Sequence, residues 1–389
     1  MDEPKSSPRV FAVVAVFERL DHTLSCIAQL RLQTYPNVEI VIVDGGSRDG
    51  SLEALREEAD ITLIADVGEQ WWTGATWYGI DHALRTGGAD DFVLLLNDDT
   101  VIDRDFVSVL AEESISHDAA VGAMIVDADD ETDVLNAGVT IDWPAYGFHL
   151  KKALGPSEFN EGVDTLEGRG VIVPLRMIRD AGNVDPEHLP HYAGDFELFC
   201  RIRRHGHRLG ITGRTRVGSH RQETGLIPTT DTTPAGQIWA EVTSRRSMTN
   251  LRDHIAFVRS AAPPELRAPL QRALVVSAVR QFAIRTPTAQ RLRIPQLIRL
   301  SRRAQVFALR PYPFAAKDVS ARKLDRAQAA GLLESCPVEG WYDFRPHIGP
   351  RVARREGSGA LWWSGWNPLT KTSRWRAFRA ASRRSVDLG

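Results

Sequence analysis

The chain has 389 residues, 43% of them hydrophobic and 25% charged, enough apolar content for one large domain or two ordinary ones, each with a sizeable core. Its three cysteines, Cys26, Cys200 and Cys336, are far apart and odd in number, which argues against a disulfide framework or a cysteine zinc site and fits a reducing cytoplasm. No stretch approaches the roughly eighteen apolar residues that span a bilayer, and Met1 to Arg9 has no apolar core, so neither membrane insertion nor secretion is expected.

The net charge of −2 conceals an asymmetry: residues 1–255 hold 23 basic and 42 acidic side chains, net −19, whereas residues 256–389 hold 25 and 8, net +17. Ala261-Ala262-Pro263-Pro264 sits close to the change of sign, so a boundary is expected near 260, between domains 1–260 and 261–389.

Residues 10–16 predict a first buried strand, and 20–32 carry helical apolar spacing that stops before Tyr35-Pro36. Residues 38–43 predict a second strand. It ends in Asp44-Gly45-Gly46-Ser47-Arg48-Asp49-Gly50, a loop of residues that tolerate positive φ and cap helices. A helix over 51–59, a short strand over 61–65, a helix over 76–85 and a fourth strand over 92–96 follow. This alternation predicts an α/β fold with a doubly wound, mostly parallel sheet flanked by helices, its nucleotide half at about 10–120. From 121 to about 230 the segments shorten: strands over 121–126, 139–143 and 170–174, helices over 175–181 and 196–205, and a short strand over 214–220, expected as the second wall of a cleft. The basic region is expected to be mainly helical, over 264–285, 295–309 and 321–334, with an arginine- and tryptophan-rich tail.

The apolar run Phe92-Val93-Leu94-Leu95-Leu96 ends abruptly in Asn97-Asp98-Asp99-Thr100. Acids at the carboxyl end of a central parallel strand stand in the crevice where open α/β sheets bind ligands, and two adjacent carboxylates call for a hard cation such as Mg²⁺ or Mn²⁺. The plain alternative is that they cap the helix beginning near Asp103. Asp44 suits hydrogen bonding to a ribose or base edge; equally it suits a helix N-cap or an Asx turn with Gly46. Asp66 carries the same ambiguity. Between these acids, Gly74, Ala75 and Gly79 would let backbone approach a ligand, and a helix opening near Thr76 would aim amide donors at a phosphate. Trp71 and Trp72 suit stacking on a sugar or base, or packing beside the helix start.

A second constellation is Gly194-Asp195-Phe196-Glu197 with Arg201. An N-cap, a favourable helix dipole and an i,i+4 ion pair account for these residues cheaply. They leave unexplained why the segment lies between the glycine-rich Glu167-Gly168-Arg169-Gly170 and a strand ending at His220.

Taken together these segments resemble a family 2 glycosyltransferase of the GT-A fold, from about Val10 to His220 and more weakly to about Val258. Val38 to Asp49 is similar to the family's strand followed by Asp-x-x-Ser-x-Asp, which implies contact between Asp44 and the nucleoside. Leu94 to Thr100 resembles its aspartate-x-aspartate metal motif, with Asn97 in the place of the first aspartate and able to accept a hydrogen bond from ribose. Asp195, Glu197 and Arg201 resemble the acidic motif that supplies the catalytic base, and His220 the histidine that often joins the metal site. The resemblance implies a metal-dependent, inverting transfer of a sugar from a nucleoside-diphosphate-sugar to an acceptor hydroxyl. Asp99 and His220 would hold Mn²⁺ or Mg²⁺, Asp195 would act as base with Glu197 and Arg201 orienting it, and Asp44, Asp66, Trp72, Gly74, Asn97 and Asp98 would face the donor.

Two other readings compete. A nucleotidyltransferase acting on sugar phosphates shares such a sheet, but Val10 to Arg19 contains no glycine and so no triphosphate-gripping loop. A non-catalytic nucleotide- or carbohydrate-binding module would have no need of Asp44, Asp99, Asp195 and His220 together. The tail, with Trp341, Trp362, Trp363, Trp366 and Trp375 among many arginines, suits an anionic membrane surface bearing a lipid-linked acceptor. The same composition suits packing against the acidic domain or an oligomer interface, the favoured reading. The expected location is cytoplasmic, with the inner membrane face as the place of any docking, and no nucleic acid is expected as partner.

Overall fold

The computed structural model describes residues 7–65, 67, 68, 70–220, 234–285, 340–343, 352–356, 360–367 and 372–379. The first alternation is β1 (Val10–Val16), α1 (Leu20–Arg31), β2 (Val38–Asp44), α2 (Ser51–Arg56), β3 (Ile61–Ile64), α3 (Trp72–Thr86) and β4 (Phe92–Asn97). There follow β5 (Thr100–Ile102), α4 (Phe106–His117), β6 (Ala119–Asp127), β7 (Val134–Asn136), β8 (Val139–Asp142), β9 (Gly147–Leu150), β10 (Phe159–Asn160) and β11 (Val171–Pro174). Then come α5 (Leu175–Ala181), α6 (Gly194–Arg204), β12 (Arg208–Ser219), α7 (Ala235–Thr243), α8 (Leu251–Ala261) and α9 (Pro264–Arg285).

The main sheet runs β10-β12-β6-β11-β4-β1-β2-β3, with β5 on β12 and β7 on β6. β3, β2, β1 and β4 are mutually parallel, and β11 is antiparallel to both β4 and β6. The chain steps outward from β1 to β2 to β3 and then returns to place β4 on the other side of β1. The carboxyl ends of β1 and β4 therefore flank the topological switch, where a crevice opens.

Helices cover both faces, and this is why the strands read as unbroken apolar runs. Val13, Val41, Val43, Val93 and Leu95 pack under α3, α5 and α6 with Ile80, Ile178 and Phe199. Alternate residues Val14, Ile40, Ile42, Leu94 and Leu96 face α1, α2 and α4 with Ile27, Leu55, Phe106 and Leu110. Each fully buried leucine or isoleucine contributes roughly 1.5–3 kcal/mol. A third cluster holds α8 against α6 and the β8–β9 hairpin through Phe257, Leu189 and Ile141.

Two expectations differ from the structure. α3 opens at Trp72, four residues before the expected Thr76, because Thr73 to Thr76 are buried and Gly79 lies against Val13, where a Cβ would come within 2.3 Å. Packing overrides the poor helix propensity of glycine. β12 has 12 residues and reaches back to Arg208, since its first half pairs with β6. Residues 295–309 and 321–334 lie outside the described residues, whereas the helix over 264–285 is present.

The chain divides into two compact units, 1–267 and 268–389. Besides most of α9, the described part of the second contains β13 (Gly340–Asp343), β14 (Val352–Glu356), β15 (Ala360–Asn367) and β16 (Thr372–Arg379), an antiparallel sheet in that order. The described residues of the tryptophan- and arginine-rich tail are thus strands, which suits their aromatic content.

Candidate active site

Four segments meet at the carboxyl edge of the sheet. Register places Ala15 opposite Asn97 and Val16 opposite Asp44. β11 runs antiparallel to β4, with the Gly170 amide donating to the Leu95 carbonyl at 2.8 Å, so residues 167–170 lie beside the end of β4. Gly194 packs on Thr73, bringing the start of α6 to the start of α3.

Trp72 joins these parts. Its indole N–H donates to Asn97 Oδ1 at 3.1 Å. Its ring lies on Gly168 so closely that a Cβ there would come within 2.5 Å of it and within 3.2 Å of Asp195 Cβ. The Gly168 amide in turn donates to Asp195 Oδ2 at 2.7 Å, and the Phe196 amide to Asp195 Oδ1 at 2.8 Å. Burial pushes the Asp195 carboxyl up to about 6; the Gly168 amide opposes the rise and Glu167 adds to it. Such a group is ionised at neutral pH yet more basic than an ordinary carboxylate. Ala193, just before α6, has φ +62, a left-handed conformation imposed on a residue with a Cβ.

Glu197 and Arg201 form a two-pronged ion pair, the shortest contact 2.8 Å, and Arg201 also donates to the carbonyls of Ala181, Gly182 and Asn183. The pair clamps α6 to the end of α5, a positioning arrangement. Beside Asp195, Glu167 accepts from Arg169 at 2.7 Å, and Arg169 donates to Ser219 Oγ at 2.9 Å.

The acidic strand end is held by Arg19, a residue for which nothing in the motif pattern supplied a role. Arg19 Nη1 lies 3.1 Å from Asp98 Oδ1 and 3.0 Å from Asp99 Oδ2. The other oxygens, Asp98 Oδ2 and Asp99 Oδ1, are buried and have no hydrogen-bond partner. Burial pushes the Asp98 carboxyl up to about 6, against the pull of Arg19 and with a further rise from Asp99. Ser219 pairs with Thr100 across the β5–β12 ladder, so Asp99 and His220 are the residues next in line at the same end of that ladder. The His220 ring is exposed, with Nδ1 3.8 Å from Asp129 Oδ2.

Among the described residues no three His, Cys, Asp or Glu side chains converge on one point. Two unpartnered hard oxygens beside a single guanidinium nonetheless fit a divalent cation in donor type and in charge, with the remaining positions left to a bound anion.

The donor-facing candidates are placed as follows. Asp44 is buried and accepts from the amides of Gly46 and Ser47, both at 3.1 Å, so its carboxylate closes an Asx turn. Gly74 faces Gln70, whose side chain occupies the space of a Cβ. The α3 amide of Thr73 donates to Pro190 O at 3.1 Å, so the expectation that this helix start aims free amides at a phosphate fails for that donor. Asp66 lies outside the described residues. Trp71 stands 5.1 Å from the His191 ring, at the wall of a cavity of about 300 Å³ lined also by Gln70, Gly74, Pro186, Pro190 and Arg245.

Residues 11–179 match the family described as Glycosyl transferase family 2. Among solved structures the chain is similar to GalNAc-T7 crystallised with UDP, GalNAc and Mn²⁺, at a TM-score of 0.52 and 12% identity over 94% of this chain and 66% of that one. It also aligns with S. aureus TarS (TM-score 0.43, 12% identity, 78% of this chain and 54% of that one) and with TarS 1–349 (0.45, 11%, 90% and 97%). The chain thus spans just under two thirds of GalNAc-T7 and about half of full TarS. No curated protein sequence matches it. The likeness to GalNAc-T7 shows a GT-A type of architecture.

Proposed function

We propose, from the match of residues 11–179 to the family described as Glycosyl transferase family 2, that the chain is a metal-dependent, inverting glycosyltransferase that moves a sugar from a nucleoside-diphosphate-sugar to an acceptor hydroxyl. The observation that carries this reading is the Trp72 bridge. One indole ties the acidic strand end to the loop that hydrogen-bonds Asp195, so a carboxylate suited to proton abstraction shares one edge of the sheet with carboxylates suited to a cation.

Asp195 takes the proton of the acceptor hydroxyl as that oxygen attacks the anomeric carbon from the face opposite the diphosphate. The bond to the diphosphate breaks as the new bond forms, and the configuration inverts. Gly168 and the first turn of α6 hold the carboxylate in place, and the Glu197–Arg201 clamp fixes the helix that carries it. Asp99 with His220 would hold Mn²⁺ or Mg²⁺, which supplies positive charge for the departing diphosphate. Asn97 and Asp98, with Trp72 and the turns closed by Asp44 and beside Gly74, form the donor side; Asp66 is assigned there by its position after β3. We assign the acceptor to a carbohydrate or lipid-linked saccharide, in polysaccharide or glycolipid assembly.

Asp195→Asn should abolish transfer while donor binding persists; retained turnover removes Asp195 as base. Asp99→Ala should weaken Mn²⁺-dependent donor binding, and unchanged metal dependence would count against its role. A panel of nucleotide-sugars with Mn²⁺, read by protection from thermal unfolding, identifies the donor.

A further inference from the structure

Arg19 enters the crevice because β1 and β4 are neighbours at the topological switch. Its placement is over-determined. Glu18 adopts φ +53, a strained left-handed conformation for a residue with a side chain. The Glu18 amide donates to Ser47 Oγ at 2.9 Å, and the Ser47 amide donates to Asp44 at 3.1 Å. On the other side the Arg19 carbonyl accepts from both the amide and the hydroxyl of Thr23 at 3.0 Å, which starts α1. The Asp44-x-x-Ser47 turn therefore presents the guanidinium to the acidic pair.

The charge balance there is incomplete. One guanidinium faces two carboxylates that are nearly inaccessible, and each carboxylate keeps one buried oxygen without a partner. A divalent cation held by Asp99 would compete with Arg19 for the acidic pair. Arg19 itself, about one third exposed, has room to turn toward the crevice and to grip an anion with its planar donor fork.

We propose that Arg19 is a donor-binding residue with two successive partners: it neutralises Asp98 and Asp99 when the crevice is empty, and passes to the diphosphate when a cation takes Asp99. This rests on the metal-dependent reading above. Cation and diphosphate then bind together, each freeing the place the other needs, and the bare cation binds poorly.

Arg19→Met keeps the apolar stem and removes the charge, and Arg19→Lys restores the charge without the fork. Mn²⁺ binding to the full chain is measured by electron paramagnetic resonance, alone and with pyrophosphate as the diphosphate probe, folding being checked by circular dichroism. For Arg19→Met, free Mn²⁺ should bind about tenfold more tightly than to the wild type, because a competing cation is gone, while retention of the Mn²⁺–pyrophosphate complex should weaken by about tenfold. Arg19→Lys should move both values back toward the wild type. A merely structural role would weaken both, and that result, or no change in either, overturns the proposal; should Arg19→Met not fold, Arg19→Lys decides on the same two affinities, which must then differ from the wild type in opposite directions. A wild type that takes up no Mn²⁺ even with pyrophosphate overturns the metal-dependent reading and this inference with it. Mn²⁺ binding by the wild type that Arg19→Met and Arg19→Lys leave untouched overturns this inference alone.

Discussion

Gly168 carries no side chain, yet it sets the spacing between Trp72 and Asp195. An added Cβ would fall within 2.5 Å of the indole and 3.2 Å of the Asp195 Cβ. Gly168→Ala should therefore displace both and lower kcat at least tenfold, with a loss of about 1–3 kcal/mol in stability from overpacking, read by steady-state kinetics and urea unfolding. Asp195 also has a pH signature. Its carboxyl, pushed up to about 6, must lose its proton to act as base, so kcat/KM should rise with pH through about 6 and level off above. For stability the sign is opposite. Between the ordinary carboxylate range and pH 6 the folded chain binds this proton and the unfolded chain does not, so the group's contribution is largest below that window and falls as pH rises. Relative to the wild type, Asp195→Asn should gain thermal stability as pH climbs from 4 to 7; a difference independent of pH would refute the assignment.

At the level of elements, α3 and α6 start against each other, and both starts are shaped by packing more than by capping. Neither has a side-chain N-cap hydrogen bond. The left-handed Ala193 before α6 holds Asp195 at the site edge at a conformational cost. Ala193→Gly should relieve it and raise stability by up to about 1 kcal/mol, offset in part by the added freedom of the unfolded chain, as measured by urea unfolding. Gly79→Ala in the middle of α3 should act the other way despite alanine's better propensity, because its Cβ would meet Val13 within 2.3 Å on β1.

Across the whole molecule the acidic first unit holds every described site residue, and the described part of the basic second unit includes a tryptophan-bearing antiparallel sheet. Attraction of that basic unit to an anionic lipid surface should appear as co-sedimentation of the full chain with anionic liposomes and its loss for a chain ending at Arg267. Equal binding by both forms would sink membrane docking through the tail. Among the described residues no helix is long and apolar enough to cross a membrane.

Much of the fold was legible in the residues. Unbroken runs such as Val10–Val16 and Phe92–Leu96 can be satisfied only by strands covered on both faces, and the acids that interrupt them had to fall at the sheet's carboxyl edge. The order of motifs from Asp44 through Asp99 to Asp195 likewise followed from chain order alone. Which side chains meet did not. Arg19 reaches Asp98 and Asp99 across about eighty residues of chain because β4 inserts beside β1, and Trp72 reaches Asn97 and Gly168 because small residues let α3 open four positions early. Both contacts depend on strand order and on close packing between distant segments, and local periodicity carries no information about either.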